Sequence, residues 1–190
     1  MEAPDVRDFL VDADAVARHT ERTAREWVLV RERDGEVEIG VYVDPDDLAR
    51  IEAMHPADAV ADALPAYCTV LEGISHFILL FRRASRDEPV SLLELETQAE
   101  VDKYVTASLH AGPRSPAHAS ELKRRLFGDA RLGEGLTAEE RERYTAAGRL
   151  AERYCGHLDR LGSVDARLAE LRRFYRMSGP ARMERLRRAA

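Results

Sequence analysis

The chain has 190 residues, of which 45% are hydrophobic and 34% are charged, with a formal net charge of −6. This composition is typical of a soluble globular protein with a helix-rich surface, long enough for one large domain or two small ones. Two cysteines, Cys68 and Cys155, exclude a disulfide framework, and the acidic start lacks the apolar stretch of a signal peptide. No apolar run approaches the ~20 residues of a membrane helix. We therefore expect a cytoplasmic bacterial protein that does not associate with membranes.

The first predicted elements are a helix and a hairpin. Apolar residues at helical spacing predict an amphipathic helix over Asp5–Arg22. Alternating residues over Trp27–Arg33 and Glu36–Val43 flank Asp34-Gly35, a strong signal for a two-residue turn. One face of this hairpin, here called the valine face, carries Val28, Val30, Val37, Ile39, Val41 and Val43. We expect the valine face to be core and the charged tip of the hairpin to project into water.

A second hairpin is predicted from the most apolar stretch of the chain. Ala66–Leu71 and Ile74–Arg83 would pair around Glu72-Gly73, and both faces would be largely apolar, as in a central strand covered on two sides. In this register Cys68 and His76 point to opposite faces of the sheet. The sequence therefore argues against a catalytic cysteine–histidine pair.

Capping residues place the helices that surround the second hairpin. Asp44 precedes a short helix over Pro45–Met54, and another is predicted over Asp58–Leu64. Ser91, with a glutamate three residues later, begins a long helix over Leu92–Leu109.

The remainder of the chain is predicted to be helical. Thr137 caps a helix that lasts to about Leu161, Ser163 caps the next one, and an arginine-rich helix covers Ala181–Ala190. Before these, a helix from Ser115-Pro116 to Phe127-Gly128 leads into a loop at Gly133 and Gly135. Because these glycines lie between helices and match no phosphate-binding motif, a helix-connecting loop is strongly favoured over a phosphate-binding loop.

Together these elements predict an α+β fold. A mainly antiparallel four-stranded sheet from the two hairpins would be covered by the N-terminal helix and by Leu92–Leu109. Gly112, Pro113 and Pro116 form the best domain boundary. They separate an α+β domain over 1–112 from a C-terminal helical region over 113–190 that packs on it.

The acidic residues of the helix Leu92–Leu109 are candidates for a catalytic site. The helix carries four acids, but apolar residues spread nearly all round it, so some carboxylates must leave water and need partners. In one hypothesis Glu96 and Glu100 hold a divalent cation or perform acid–base work, and His76 assists. A buried polar network, with partners such as the C-terminal arginines, is favoured over this hypothesis. No paired histidine or CxxC spacing supports a metal, so we assign neither metal ligands nor a cofactor.

The C-terminal end is strongly basic. Residues 160–190 carry nine arginines and three acids, a net charge of +6, so the rest of the chain carries −12. The candidate contacts for a partner or for nucleic acid are Arg172, Arg173, Arg176, Arg182 and Arg185. Phe174 and Tyr175 could stack on bases, but both fit the buried stripe of a helix, and the negative net charge weakens nucleic-acid binding. Docking onto the acidic body or onto an acidic protein partner is therefore favoured.

These features rank three functions. The absence of a catalytic motif favours a non-enzymatic accessory or regulatory protein that acts by protein–protein interaction, with a partner protein or a second copy of the chain. The first alternative is a metal- or acid–base-dependent enzyme that uses Glu96, Glu100 and His76. The second is nucleic-acid binding through the arginine-rich end.

Overall fold

The computed structural model describes residues 4–112, 116–128 and 135–189 of the chain. This part of the protein is mostly helical, with nine α-helices (69%), and its sheet has only two antiparallel strands. The predicted α+β fold with a four-stranded sheet is therefore wrong. The chain divides into two compact units, Met1–Pro89 and Val90–Ala190. The boundary residue Pro113, Ser115 at the predicted helix start and the loop glycine Gly133 lie outside the described residues.

The first unit is a hairpin packed on helices. A 3-10 helix over Val6–Phe9 is followed by α1 (Ala13–Ala17), β1 (Glu26–Arg33), β2 (Glu36–Val43), α2 (Pro45–Glu52), α3 (Pro56–Asp62) and α4 (Leu64–Ala84). Its core cluster is centred on Val41, Val43 and Phe77. The hairpin therefore buries the base of its valine face against α4.

The first hairpin forms as predicted. Arg33 pairs with Glu36 across the turn, and Asp34 and Gly35 both have positive φ, at 54° and 80°. Two residues with positive φ give the turn type that matches the twist of paired strands. The valine face is core only at its base, because Val30 and Val37 near the tip are 51% and 42% exposed.

The predicted N-terminal helix is wrong, because the edge of the sheet interrupts it. Leu10 forms a parallel bridge with Val41, and the Val11 N–H donates to the Val41 carbonyl at 2.9 Å. Bonding to the open edge of β2 satisfies backbone groups in an extended conformation. The segment is therefore divided into the short 3-10 helix and the single turn and a half of α1.

The predicted second hairpin is also wrong, because Leu64–Ala84 is the continuous helix α4. A run that is apolar on most sides has the same composition as a strand covered on both faces, so periodicity alone does not separate the two. Gly73, which was predicted to form the turn of this hairpin, lies instead where α4 packs closely against the first hairpin. A Cβ at Gly73 would lie 3.2 Å from Val41 Cγ1 and 3.3 Å from Val43 Cγ2.

The helix α4 is also long and apolar enough to cross a membrane, by length and composition only. Its most apolar window has a mean hydropathy of 1.5, and 44% of that window is buried within the protein. The core helix of a soluble protein passes the same test. This corrects the expectation that no segment approaches the dimensions of a membrane helix.

The second unit consists of helices. Its elements are α5 (Leu92–His110), α6 (Pro116–Lys123), a π-helical turn (Arg124–Gly128), α7 (Ala138–Arg160), α8 (Val164–Arg176) and α9 (Gly179–Arg188). The predicted caps at Ser91, Thr137 and Ser163 are confirmed, since each side chain accepts a hydrogen bond from the first turn of its helix. The helix α7 packs on α5, α8 and α9. Tyr154 of α7 stacks on Phe174 of α8, with ring centroids 4.4 Å apart.

Two helical glycines give a test of the close packing at α4. A methyl group at Gly148 of α7 would meet nothing within 4 Å, so Gly148→Ala should raise the free energy of unfolding by about 0.5–1 kcal/mol. The same change at Gly73 gains this helix propensity but crowds the hairpin, and overpacking costs about 1–3 kcal/mol. We expect Gly73→Ala to lower stability by about 1 kcal/mol in urea titrations followed by circular dichroism. An equal gain for both variants would contradict the packing argument.

Candidate functional site

Most of the buried polar side chains described in the second unit lie on α5. The helix begins at Leu92 because the Ser91 hydroxyl accepts from the Glu94 N–H at 3.2 Å. Two of these side chains are carboxylates, since Glu94 and Glu96 are only 3% and 7% exposed. A carboxylate held this far from water requires a compensating partner.

Glu94 is paired with Arg182 of α9. The Arg182 Nη1 lies 3.3 Å from the Glu94 Oε1, and both side chains are buried. Arg182 also donates to the backbone carbonyls of Tyr175 and Met177, both at 3.4 Å. Gly179 permits this contact, because a Cβ there would lie 2.5 Å from the Glu94 Oε2. The pair therefore joins the start of α9 to the first turn of α5.

Two tyrosine hydroxyls bind further carboxylates of this unit. Tyr175 of α8 donates to Asp102 Oδ1 at 2.5 Å, and Gln98 Nε2 donates to the same oxygen at 2.8 Å. Tyr104 of α5 donates to Asp159 Oδ1 at 2.5 Å. Burial, followed by the neighbouring aspartate, raises the pKa of both tyrosines, so each hydroxyl remains a donor.

The predicted catalytic glutamates both lie beside basic side chains. Glu96 Oε1 is 3.6 Å from the Arg143 Nε of α7, and Glu100 Oε1 is 2.6 Å from the Lys103 Nζ. The acids of α5 thus have basic or hydrogen-bonding partners within the second unit. This geometry is that of a buried polar network. Arg143 and the tyrosine partners were not predicted, because they come from elements that are distant in the sequence.

His76 belongs to the first unit, whereas Glu96 and Glu100 belong to the second. His76 is buried on α4, and its Nδ1 lies 3.3 Å from Glu26 Oε1 of β1. This contact was not predicted, because Glu26 is fifty residues away from His76 in the sequence and the region of His76 was predicted as a strand. The hypothesis that these three residues act together in catalysis stays a prediction.

The five predicted contact arginines divide into two groups. Arg182 and Arg185 are engaged within the unit, and the Arg185 Nε donates to Glu170 Oε1 at 2.7 Å. The other three are exposed, and no hydrogen bond or ion pair of theirs is found among the described residues. We call these three the arginine face: Arg172, Arg173 and Arg176. With Ala169 and Met177 they line a shallow surface groove.

The arginine face arises from the helical repeat of α8. Residues at i, i+1 and i+4 lie on neighbouring positions of one side, and Ala169 lies one turn earlier. The opposite side holds Phe174, which is fully buried. The helix ends at Arg176, where cations interact favourably with the helix dipole. The helix dipole alone can explain why the last turn of α8 is basic. It does not explain the groove that the same arginines line.

Comparison with known proteins provides no further assignment. No protein-family model, no curated protein and no solved structure matches the chain.

The Glu94–Arg182 pair gives a test of the buried network. Removing one member of a buried ion pair leaves an uncompensated charge and costs about 3–5 kcal/mol, so Arg182→Met should lower the free energy of unfolding by that amount. The double variant with Glu94→Gln should lose less than the sum of the single changes. Arg188→Met is the control, because its pair with Glu184 is exposed and should contribute about 0.5 kcal/mol. Additive losses in urea titrations would contradict direct coupling.

His157 of α7 predicts a pH dependence of stability. Burial lowers the pKa of His157 from its ordinary value of 6.5, and the charge of Arg185 lowers it further. The Arg185 Nη2 lies 2.8 Å from the His157 Nε2. The unfolded chain therefore binds the proton first as the pH falls. The contribution of neutral His157 to the free energy of unfolding should be present in full above pH 6.5. It should be lost as the pH falls through the lowered pKa of the folded state. His157→Gln should flatten this decrease in melting temperatures measured across that range, and an unchanged slope would contradict the assignment.

Proposed function

We propose that the protein is a non-enzymatic accessory protein that binds an acidic segment of a partner protein through the arginine face of α8. The observation that carries the proposal is the division of the arginines. Arg182 and Arg185 neutralise acids within the second unit, whereas the arginine face projects three guanidinium groups into solvent around a groove. Charge is thus concentrated at a surface whose complement is a row of carboxylates.

The groove suits a protein more than a small ion. Met177 and Ala169 provide an apolar surface between the guanidinium groups. Arginine and methionine are enriched in protein interfaces, and the guanidinium fork binds carboxylates in a bidentate manner. An acidic helix that presents glutamates one turn apart would match the turn that separates Arg172 from Arg176.

Nucleic acid fits this surface less well. Proteins that bind single strands stack bases on aromatic rings, but Phe174 is fully buried and the Tyr175 hydroxyl is bound to Asp102. The chain also carries a net charge of −6, which opposes the approach of a polyanion. An acidic peptide carries fewer charges and can bury its aliphatic stems in the groove.

Binding of a short glutamate-rich helical peptide, followed by fluorescence anisotropy at low salt, tests the proposal. Three exposed charge pairs contribute about 0.5 kcal/mol each, so the triple variant Arg172→Gln, Arg173→Gln and Arg176→Gln should weaken binding about tenfold. The control replaces three exposed arginines of α7 by glutamine and removes the same charge: Arg149, Arg153 and Arg160. This control should retain the affinity of the unaltered protein to within a factor of about two, because screening reduces the effect of distant charges.

Two outcomes overturn the proposal. Equal weakening in the triple variant and in its control would show that only net charge matters. Tighter binding of a single-stranded DNA of the same charge, lost in the triple variant, would assign the arginine face to nucleic acid instead.

A further inference from the structure

A histidine and two carboxylates lie close together inside the first unit. None of the three belongs to the arginine face, which is part of the second unit. His76 and Glu72 lie one helical turn apart on α4, so their side chains project from the same side of the helix. A ligand atom of Glu72 lies within 4.8 Å of a His76 ring nitrogen. The third residue, Glu26, comes from β1.

Gly73 positions Glu26 at this place. The residue has no side chain where the hairpin crosses α4, and a Cβ there would lie 3.3 Å from the Glu26 Cγ. The backbone of α4 therefore approaches β1 closely enough for Glu26 Oε1 to lie 3.3 Å from His76 Nδ1. His76 and Glu26 are both largely shielded from solvent, with side chains 7% and 14% exposed.

These are the donor types of a transition-metal site. Imidazole nitrogen and carboxylate oxygen bind Zn²⁺ at about 2.0–2.2 Å, so two donors on one ion lie about 3–4 Å apart. The ligand atoms of Glu72 and His76, which lie within 4.8 Å of one another, satisfy this requirement approximately. A histidine ligand commonly donates its other ring N–H to a carboxylate, which fixes the tautomer and the orientation of the ring. Glu26, facing Nδ1, occupies the place of that carboxylate.

We propose that Glu72 and His76 bind a divalent first-row transition-metal cation such as Zn²⁺, with Glu26 as the positioning residue that orients His76. The site lies entirely within the first unit and is independent of the arginine face. Because the protein supplies two ligands, water molecules occupy the remaining positions of the coordination shell. The site gives His76 a role that requires neither Glu96 nor Glu100.

Equilibrium dialysis of the full chain against Zn²⁺ alone, after treatment with a chelator, tests the site. The unaltered protein should bind one ion. Glu26→Gln should weaken binding by about 10–100-fold, as expected for a residue that orients a ligand, and Glu72→Gln and His76→Gln should weaken it further. The control is His19→Gln, since His19 is an exposed histidine of the same unit, and this variant should bind as the unaltered protein does.

A second measurement separates metal binding from folding. The visible absorption of the Co²⁺-loaded protein should be lost in Glu72→Gln while its circular dichroism is unchanged. Zn²⁺ binding that is equal in the unaltered protein, Glu72→Gln and His76→Gln would overturn the proposal. Absence of saturable binding to the unaltered protein would also overturn it and would leave a buried ion pair only.

Discussion

The partnering of buried carboxylates is the constraint on which the second unit depends. Removing a carboxylate from water is costly unless hydrogen bonds and opposite charges replace the lost hydration. Glu94 receives Arg182 from α9, and Asp102 receives the hydroxyl of Tyr175 from α8. The acids of α5 therefore help to determine where the later helices lie. A network of this kind stabilises one arrangement of helices only when its members are satisfied together.

The first unit depends on a different constraint, which is the close approach of a strand to a helix. The Asp34-Gly35 turn fixes the register of β1 and β2, and that register aligns Val41 and Val43 against α4. Gly73 allows the contact because a side chain there would crowd both valines. The same approach that closes the core places a carboxylate of β1 against a histidine of α4. Packing and chemistry at this point thus have one geometric cause.

The two proposals assign different tasks to residues of similar type. Arginines that point inward stabilise the fold, and those on the outer side of α8 are available to a partner. Glu94 and Asp102 of α5 bind an arginine and a tyrosine hydroxyl, whereas Glu26 of β1 faces the imidazole of His76. Residue type alone does not distinguish these roles. The direction in which a side chain points, and the group that it meets, decide between them.

Local elements of this protein could be predicted from the sequence: the register of the first hairpin, the caps at Ser91, Thr137 and Ser163, and the helices that follow them. These features depend on turn chemistry and capping, which act over a few residues. Tertiary packing was needed to settle that α4 is a helix, because an all-round apolar run fits either a helix or a covered strand. It also decided which arginines are buried, because that depends on helix rotation and on partners such as Glu94, distant in the sequence from Arg182.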